Sequence, residues 1–107
     1  MNPVLSHHIA VYGAYGHTGR FVLDELRRRG FTAVACGRDV ARLRELTAAT
    51  GIETRVASVD DPATLDAAFA DVVAVLHCAG PFLDTAAPVL DAALRARIHY
   101  LDVAAEQ

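Results

Sequence analysis

Short apolar runs alternate with segments of helical spacing along the chain, and this alternation limits its fold more than any other property. His8-Ile9-Ala10-Val11-Tyr12 has the length and apolarity of a buried strand, and Val22, Leu23 and Leu26 then recur at helical spacing. Arg27, Arg28 and Arg29 fill the last turn of that helix, where cations complement its dipole, and Gly30 stops it. Residues 31–36 (FTAVAC) read as a second strand, left through Gly37-Arg38-Asp39. Asp39 can cap a helix carrying Leu43 and Leu46, which Gly51 closes. A third strand covers residues 53–59, and Asp60-Asp61-Pro62 supplies a cap followed by proline at the first position of a helix through Leu65 and Phe69. Residues 72–77 (VVAVLH) are almost wholly apolar, as strands covered on both faces are, which predicts the centre of the sheet.

A last helix runs to about Arg97 with Val89, Leu90, Ala93 and Leu94 on one face. Pro88 limits where it begins, because proline is tolerated in a first turn. Residues 98–103 form a fifth strand. Strands alternating with helices through right-handed crossovers predict an α/β fold, a doubly wound, Rossmann-type parallel sheet in the order 3-2-1-4-5 with helices on both faces. No repeat, low-complexity stretch or linker divides residues 1–107, so a single domain is expected.

The turn after the first strand carries Gly13-Ala14-Tyr15-Gly16-His17-Thr18-Gly19. Glycines between a strand and a helix allow a sharp bend and let amide N–H groups approach an anion closely, while the helix dipole favours negative charge there. The spacing G-x-x-G-x-x-G differs by one step from the dinucleotide fingerprint, but its setting inside a βαβ unit points to the same use: a cradle for a pyrophosphate. Tyr15 and His17 lie within the turn, placed either to border that anion or simply to face solvent, and Thr18 is read with the glycines as part of the cofactor-binding turn. In a sheet of this order the ligand crevice opens where the strand order reverses, between the first and fourth strands, so Cys78-Ala79-Gly80 faces the glycine turn across it.

An acidic residue ending the second strand would take a ribose 2′-hydroxyl. This chain offers Gly37-Arg38 there, and a guanidinium pairs with a 2′-phosphate, so NADP(H) is expected over NAD(H). The rival reading turns Asp39 inward onto the hydroxyl and leaves Arg38 in water. Val59 and Asp60, ending the third strand, are placed to wall the adenine or simply to turn the chain.

Composition closes several routes. All ten basic residues are arginine, so a Walker P-loop, a Schiff-base enzyme and a tyrosine–lysine dehydrogenase pair each lack a required amine. A formal charge of −3 gives no field for nucleic acid or anionic membranes. Apolar runs too short to span a bilayer, with no leader pattern, suggest a cytoplasmic protein. Cys36 and Cys78 would end strands two places apart, roughly 9–10 Å, outside disulfide reach, and are expected as free thiols. The five histidines are scattered over different elements and suggest no metal site.

Taken together, residues 13–20 (GAYGHTGR), Gly37-Arg38, residues 77–82 (HCAGPF), Pro88-Val89-Leu90 and His99-Tyr100-Leu101-Asp102 resemble the nucleotide-binding domain of saccharopine dehydrogenase-like oxidoreductases. The resemblance spans nearly the whole chain. It implies NAD(P) binding on this domain, with substrate held against a second, larger domain that residues 1–107 do not contain. Where the family commonly continues His-Tyr-x-Asp with Thr-Gly-Glu, this chain has Val103-Ala104-Ala105-Glu106. The expectation is a cofactor domain, inactive by itself, of an NAD(P)-dependent oxidoreductase. The alternatives are a redox-sensing nucleotide binder and a module that oligomerises through its last strand. Tyr100, His99, Asp102, His77 and Cys78 could each move a proton, but sequence assigns none of them a partner or a catalytic role.

Overall fold

The structure, a computed structural model, describes residues 8–14, 16–78 and 82–102, the side chains of 82–85 excepted. Along the chain β1 (His8–Tyr12), α1 (His17–Arg28), β2 (Thr32–Gly37), α2 (Val40–Thr50) and β3 (Glu53–Val56) are followed by α3 (Pro62–Ala68), β4 (Ala74–His77), α4 (Phe82–Ala96) and β5 (His99–Asp102). The strands form one sheet in the order β3-β2-β1-β4-β5, with every pairing parallel. This is the doubly wound arrangement the alternation predicts.

Period-two alternation splits the strand side chains between two cores. Ile9, Val11, Ala33 and Ala35 meet Leu23 and Leu26 of α1 and Leu43 and Leu46 of α2. Ala10, Tyr12, Val34, Cys36 and Val75 meet Leu65 and Phe69 at α3 and Val89, Ala92 and Ala93 of α4. Local signals fix the helix ends. Gly30, at φ 87°, ends the α1 turn, and the Phe31 amide donates to the Leu26 carbonyl at 3.0 Å. The Asp39 carboxylate accepts the Arg42 amide at 3.1 Å, and Gly51 closes α2 at φ 76°. The arginine triplet is a helix end: Arg28 and Arg29 pair with Glu25, and Arg27 donates to the Thr50 carbonyl at 3.1 Å.

Four expectations require correction. The middle strand is β1, not β4, which lies second from one edge. β4 begins at Ala74 rather than at residue 72, because the Val72 amide is still tied to the Phe69 carbonyl at 3.4 Å. β3 stops at Val56 rather than at residue 59, since its single partner, β2, ends opposite it at Gly37 and the chain turns at Ser58. Finally, α4 starts at Phe82 with Pro88 inside it, and it buries Val89, Ala92 and Ala93 while Leu90 and Leu94 face outward. Losing one amide at Pro88 is outweighed by packing of the small face of α4 on the sheet. Smaller shifts put β2 one residue later at both ends, and β5 at His99–Asp102, with Val103 outside the described residues.

Candidate functional site

The glycine turn leaves the carboxyl end of β1 and enters α1. Gly13 holds φ 81°, a backbone shape that a side chain resists, and its amide donates to the Cys36 carbonyl at 2.9 Å. Gly19, three residues into α1, lies against the turn itself: a Cβ there would come within 2.6 Å of the Ala14 Cα. Glycine at this position therefore sets the close approach of helix to strand. Gly16 differs from both, because its φ of −83° suits any residue and a Cβ would meet nothing within 4 Å. Open space above the second glycine is what an anion approaching the backbone needs.

The two helices beside this space begin differently. The N-terminus of α2 is satisfied by its own Asp39 carboxylate. That of α1 has Gly16 as its cap, no side-chain bond to the cap and no acidic residue in its first turn. The positive end of its dipole therefore meets no carboxylate of its own first turn, with exposed His17 and half-buried Thr18 as its first residues. Tyr15 falls outside the described residues.

Around the same edge stand the other residues singled out in the sequence. Gly37, buried at the end of β2, accepts the Ala57 amide at 2.8 Å, and Arg38 beyond it is exposed. Val59 is half-buried against the core on the α3 and α4 side, and the amide of exposed Asp60 donates to the Ser58 hydroxyl oxygen at 3.1 Å. The Cys78 amide bonds the Tyr12 carbonyl at 2.8 Å, which holds the start of the loop after β4 against the end of β1. Ala79 and Gly80 lie outside the described residues. The fold therefore brings Gly13, Gly16, His17, Thr18, Gly19, Gly37, Arg38, Val59, Asp60 and Cys78 to the carboxyl side of one sheet.

Both cysteines are free thiols, and burial pushes each up to about 12, so neither offers a thiolate near neutral pH. Among the described residues no three His, Cys, Asp or Glu side chains gather in a way that could hold a metal. No described helix is long and apolar enough to cross a membrane.

Sequence reasoning missed one constellation. His77, fully buried at the end of β4, stacks between the rings of Tyr12 and Tyr100, with centroids 6.3 and 6.2 Å away. Its Nδ1 lies 3.2 Å from Asp102 Oδ1, and the Tyr100 hydroxyl donates to that same oxygen at 2.9 Å. Burial holds the His77 imidazole below its ordinary range, against the opposing pull of Asp102, while burial and the bond to Asp102 raise the Tyr100 hydroxyl. The signal was an in-register pair, His77 opposite Asp102, which emerges only once β4 and β5 are aligned.

Sheet order and glycine turn together define a Rossmann-type domain, and the relatives it matches make it an NAD(P)-binding oxidoreductase domain. Residues 9–107 match the family described as the saccharopine dehydrogenase NADP binding domain, and the chain belongs to it. A saccharopine dehydrogenase-like oxidoreductase of Bos taurus is 26% identical over 92% of this chain, which spans 28% of that relative's length. Among solved structures, a Citrobacter sp. triphenylmethane reductase complexed with NADP(H) superimposes with a TM-score of 0.73 at 32% identity, covering 88% of this chain and 36% of its own. An NADPH-dependent quinone oxidoreductase from Escherichia coli gives 0.72 at 31%, covering 86% and 34% respectively.

Proposed function

We propose that this chain is the NADP(H)-binding domain of a saccharopine dehydrogenase-like oxidoreductase, and that it holds the cofactor for hydride exchange with a substrate carried on another domain. The observation that carries the reading is the glycine-capped N-terminus of α1, with no acidic residue in its first turn, beneath the open space at Gly16. In this reading the amides of residues 13–19 hold the diphosphate, with Tyr15, His17 and Thr18 at its border. Gly37 lets the adenosine ribose approach β2, and Val59 and Asp60 wall the adenine. Cys78, Ala79 and Gly80 border the crevice on the β4 side. When bound, the cofactor supplies the hydride chemistry, and the chain supplies orientation.

Arg38 carries the choice of cofactor. Asp39, its rival, turns Oδ1 onto the Arg42 amide as the cap of α2, which supports the guanidinium as the 2′-phosphate partner. A charge-assisted contact of this kind contributes roughly 1.5–3 kcal/mol, or about ten- to a hundredfold in affinity. Titration should therefore give tighter binding of NADPH than of NADH. Arg38→Ala should remove most of that preference while leaving NADH within about twofold. Equal affinities for the two cofactors in the wild-type chain would contradict the role of Arg38. We place the domain in the cytoplasm, a reading supported by its two free thiols.

A further inference from the structure

We infer that Asp102, anchored by Tyr100 and His77, is a specificity-determining carboxylate that makes the domain favour the oxidised over the reduced form of its nicotinamide cofactor; the inference rests on the NADP(H)-binding reading above. The glycine turn follows β1 and Arg38 follows β2, so a dinucleotide whose diphosphate lies at the turn and whose adenosine lies over β2 extends its other half toward β4 and β5. At about 4.8 Å per strand, the end of β5 lies roughly 10 Å from that of β1, within reach of the nicotinamide half. Asp102 ends β5 there, its side chain 42% exposed.

Two bonds hold it. The Tyr100 hydroxyl donates to Oδ1 at 2.9 Å, and the His77 ring, clamped between Tyr12 and Tyr100, presents Nδ1 to the same oxygen at 3.2 Å. A buried, neutral imidazole beside a carboxylate carries its proton on Nδ1 and gives a hydrogen bond without cancelling the charge. No arginine among the described residues pairs with Asp102. The result is a positioned negative charge at the crevice, and a charge there distinguishes the two forms of the cofactor, because the oxidised ring is cationic and the reduced ring is neutral. A carboxylate several Å from such a ring, in a partly solvated setting, is worth about fivefold in affinity for the cation.

The test is calorimetric titration of the wild-type chain and of Asp102→Asn with NADP⁺ and NADPH. Asparagine keeps the acceptor oxygen and removes the charge. The expected result is that Asp102→Asn weakens NADP⁺ about fivefold and changes NADPH less than twofold. Equal losses for both forms, or no change in either, would overturn the inference and leave the cofactor-binding reading intact. A wild-type chain that binds neither form would overturn the cofactor-binding reading and this one with it. Should Asp102→Asn not fold by circular dichroism, Tyr100→Phe decides. It keeps the charge but removes one anchor, and should reduce the preference for NADP⁺ about twofold, whereas an unchanged preference would count against the inference.

Discussion

Gly19 shows what a single missing methyl group does in this turn. An alanine there would place Cβ within 2.7 Å of three backbone atoms of Ala14, and backbone cannot swing aside as a flexible side chain can. Overpacking of this kind costs typically 1–3 kcal/mol, and for a domain this small each kcal/mol lowers Tm by roughly 4–8 °C. Gly19→Ala should therefore melt roughly 10 °C below wild type in a thermal scan and bind NADPH more weakly, because the helix can no longer sit close to β1. Gly16→Ala, which adds its methyl group to open space, should melt close to wild type and lose cofactor affinity alone. If both variants melt with the wild type, helix-to-strand approach is not what Gly19 provides.

At the scale of elements, the ends of α1 and α2 and the bounds of β1 were legible, whereas the end of β3 and the start of β4 were not. Gly30, Gly51 and Asp39 act on backbone within a turn of themselves, so their signal is local and survives reading along the chain. The length of β3 depends on where β2 ends, and the central place of β1 depends on all five strands at once. α4 misled for a related reason: Leu90 and Leu94 share a helical face, but the sheet selects the smaller residues Ala92 and Ala93. At the candidate site, the place of the glycine turn between β1 and α1 was legible because one motif holds it in sequence. The bond joining β4 to β5 through His77 and Asp102 was not, since 25 residues separate its ends.

Burial of His77, which outweighs that bond, gives stability a pH dependence. Burial depresses the His77 value in the folded chain, so below 6.5 the unfolded chain takes up a proton that the folded chain still refuses. Stability should fall as pH drops below that point and level off once the folded imidazole titrates, with no contribution from His77 at higher pH. Urea unfolding at a series of pH values checks this: His77→Gln should flatten the slope just below pH 6.5 relative to wild type. Parallel slopes for the two proteins would show that His77 is not the group responsible. The edge strand β3 is fastened differently, by Arg55 reaching Asp71 and the Ala68 carbonyl. With Asp71 61% exposed, that ion pair adds little to stability.

For the whole molecule, the chain spans 28% of the bovine relative's length, and the fold places the glycine turn, Gly37 and Arg38 at the carboxyl ends of the strands. The proposed function requires the amides of the glycine turn and the first turn of α1 to hold a diphosphate. Amide chemical shifts of the wild-type chain, followed by NMR during addition of NADPH, test that claim most directly. The account predicts saturable shifts centred on Gly13, Gly16, His17, Thr18 and Gly19, with a second group at Gly37 and Arg38. Saturation that leaves the amides of Gly16, His17, Thr18 and Gly19 unmoved, or no saturation at all in a folded sample, would contradict it.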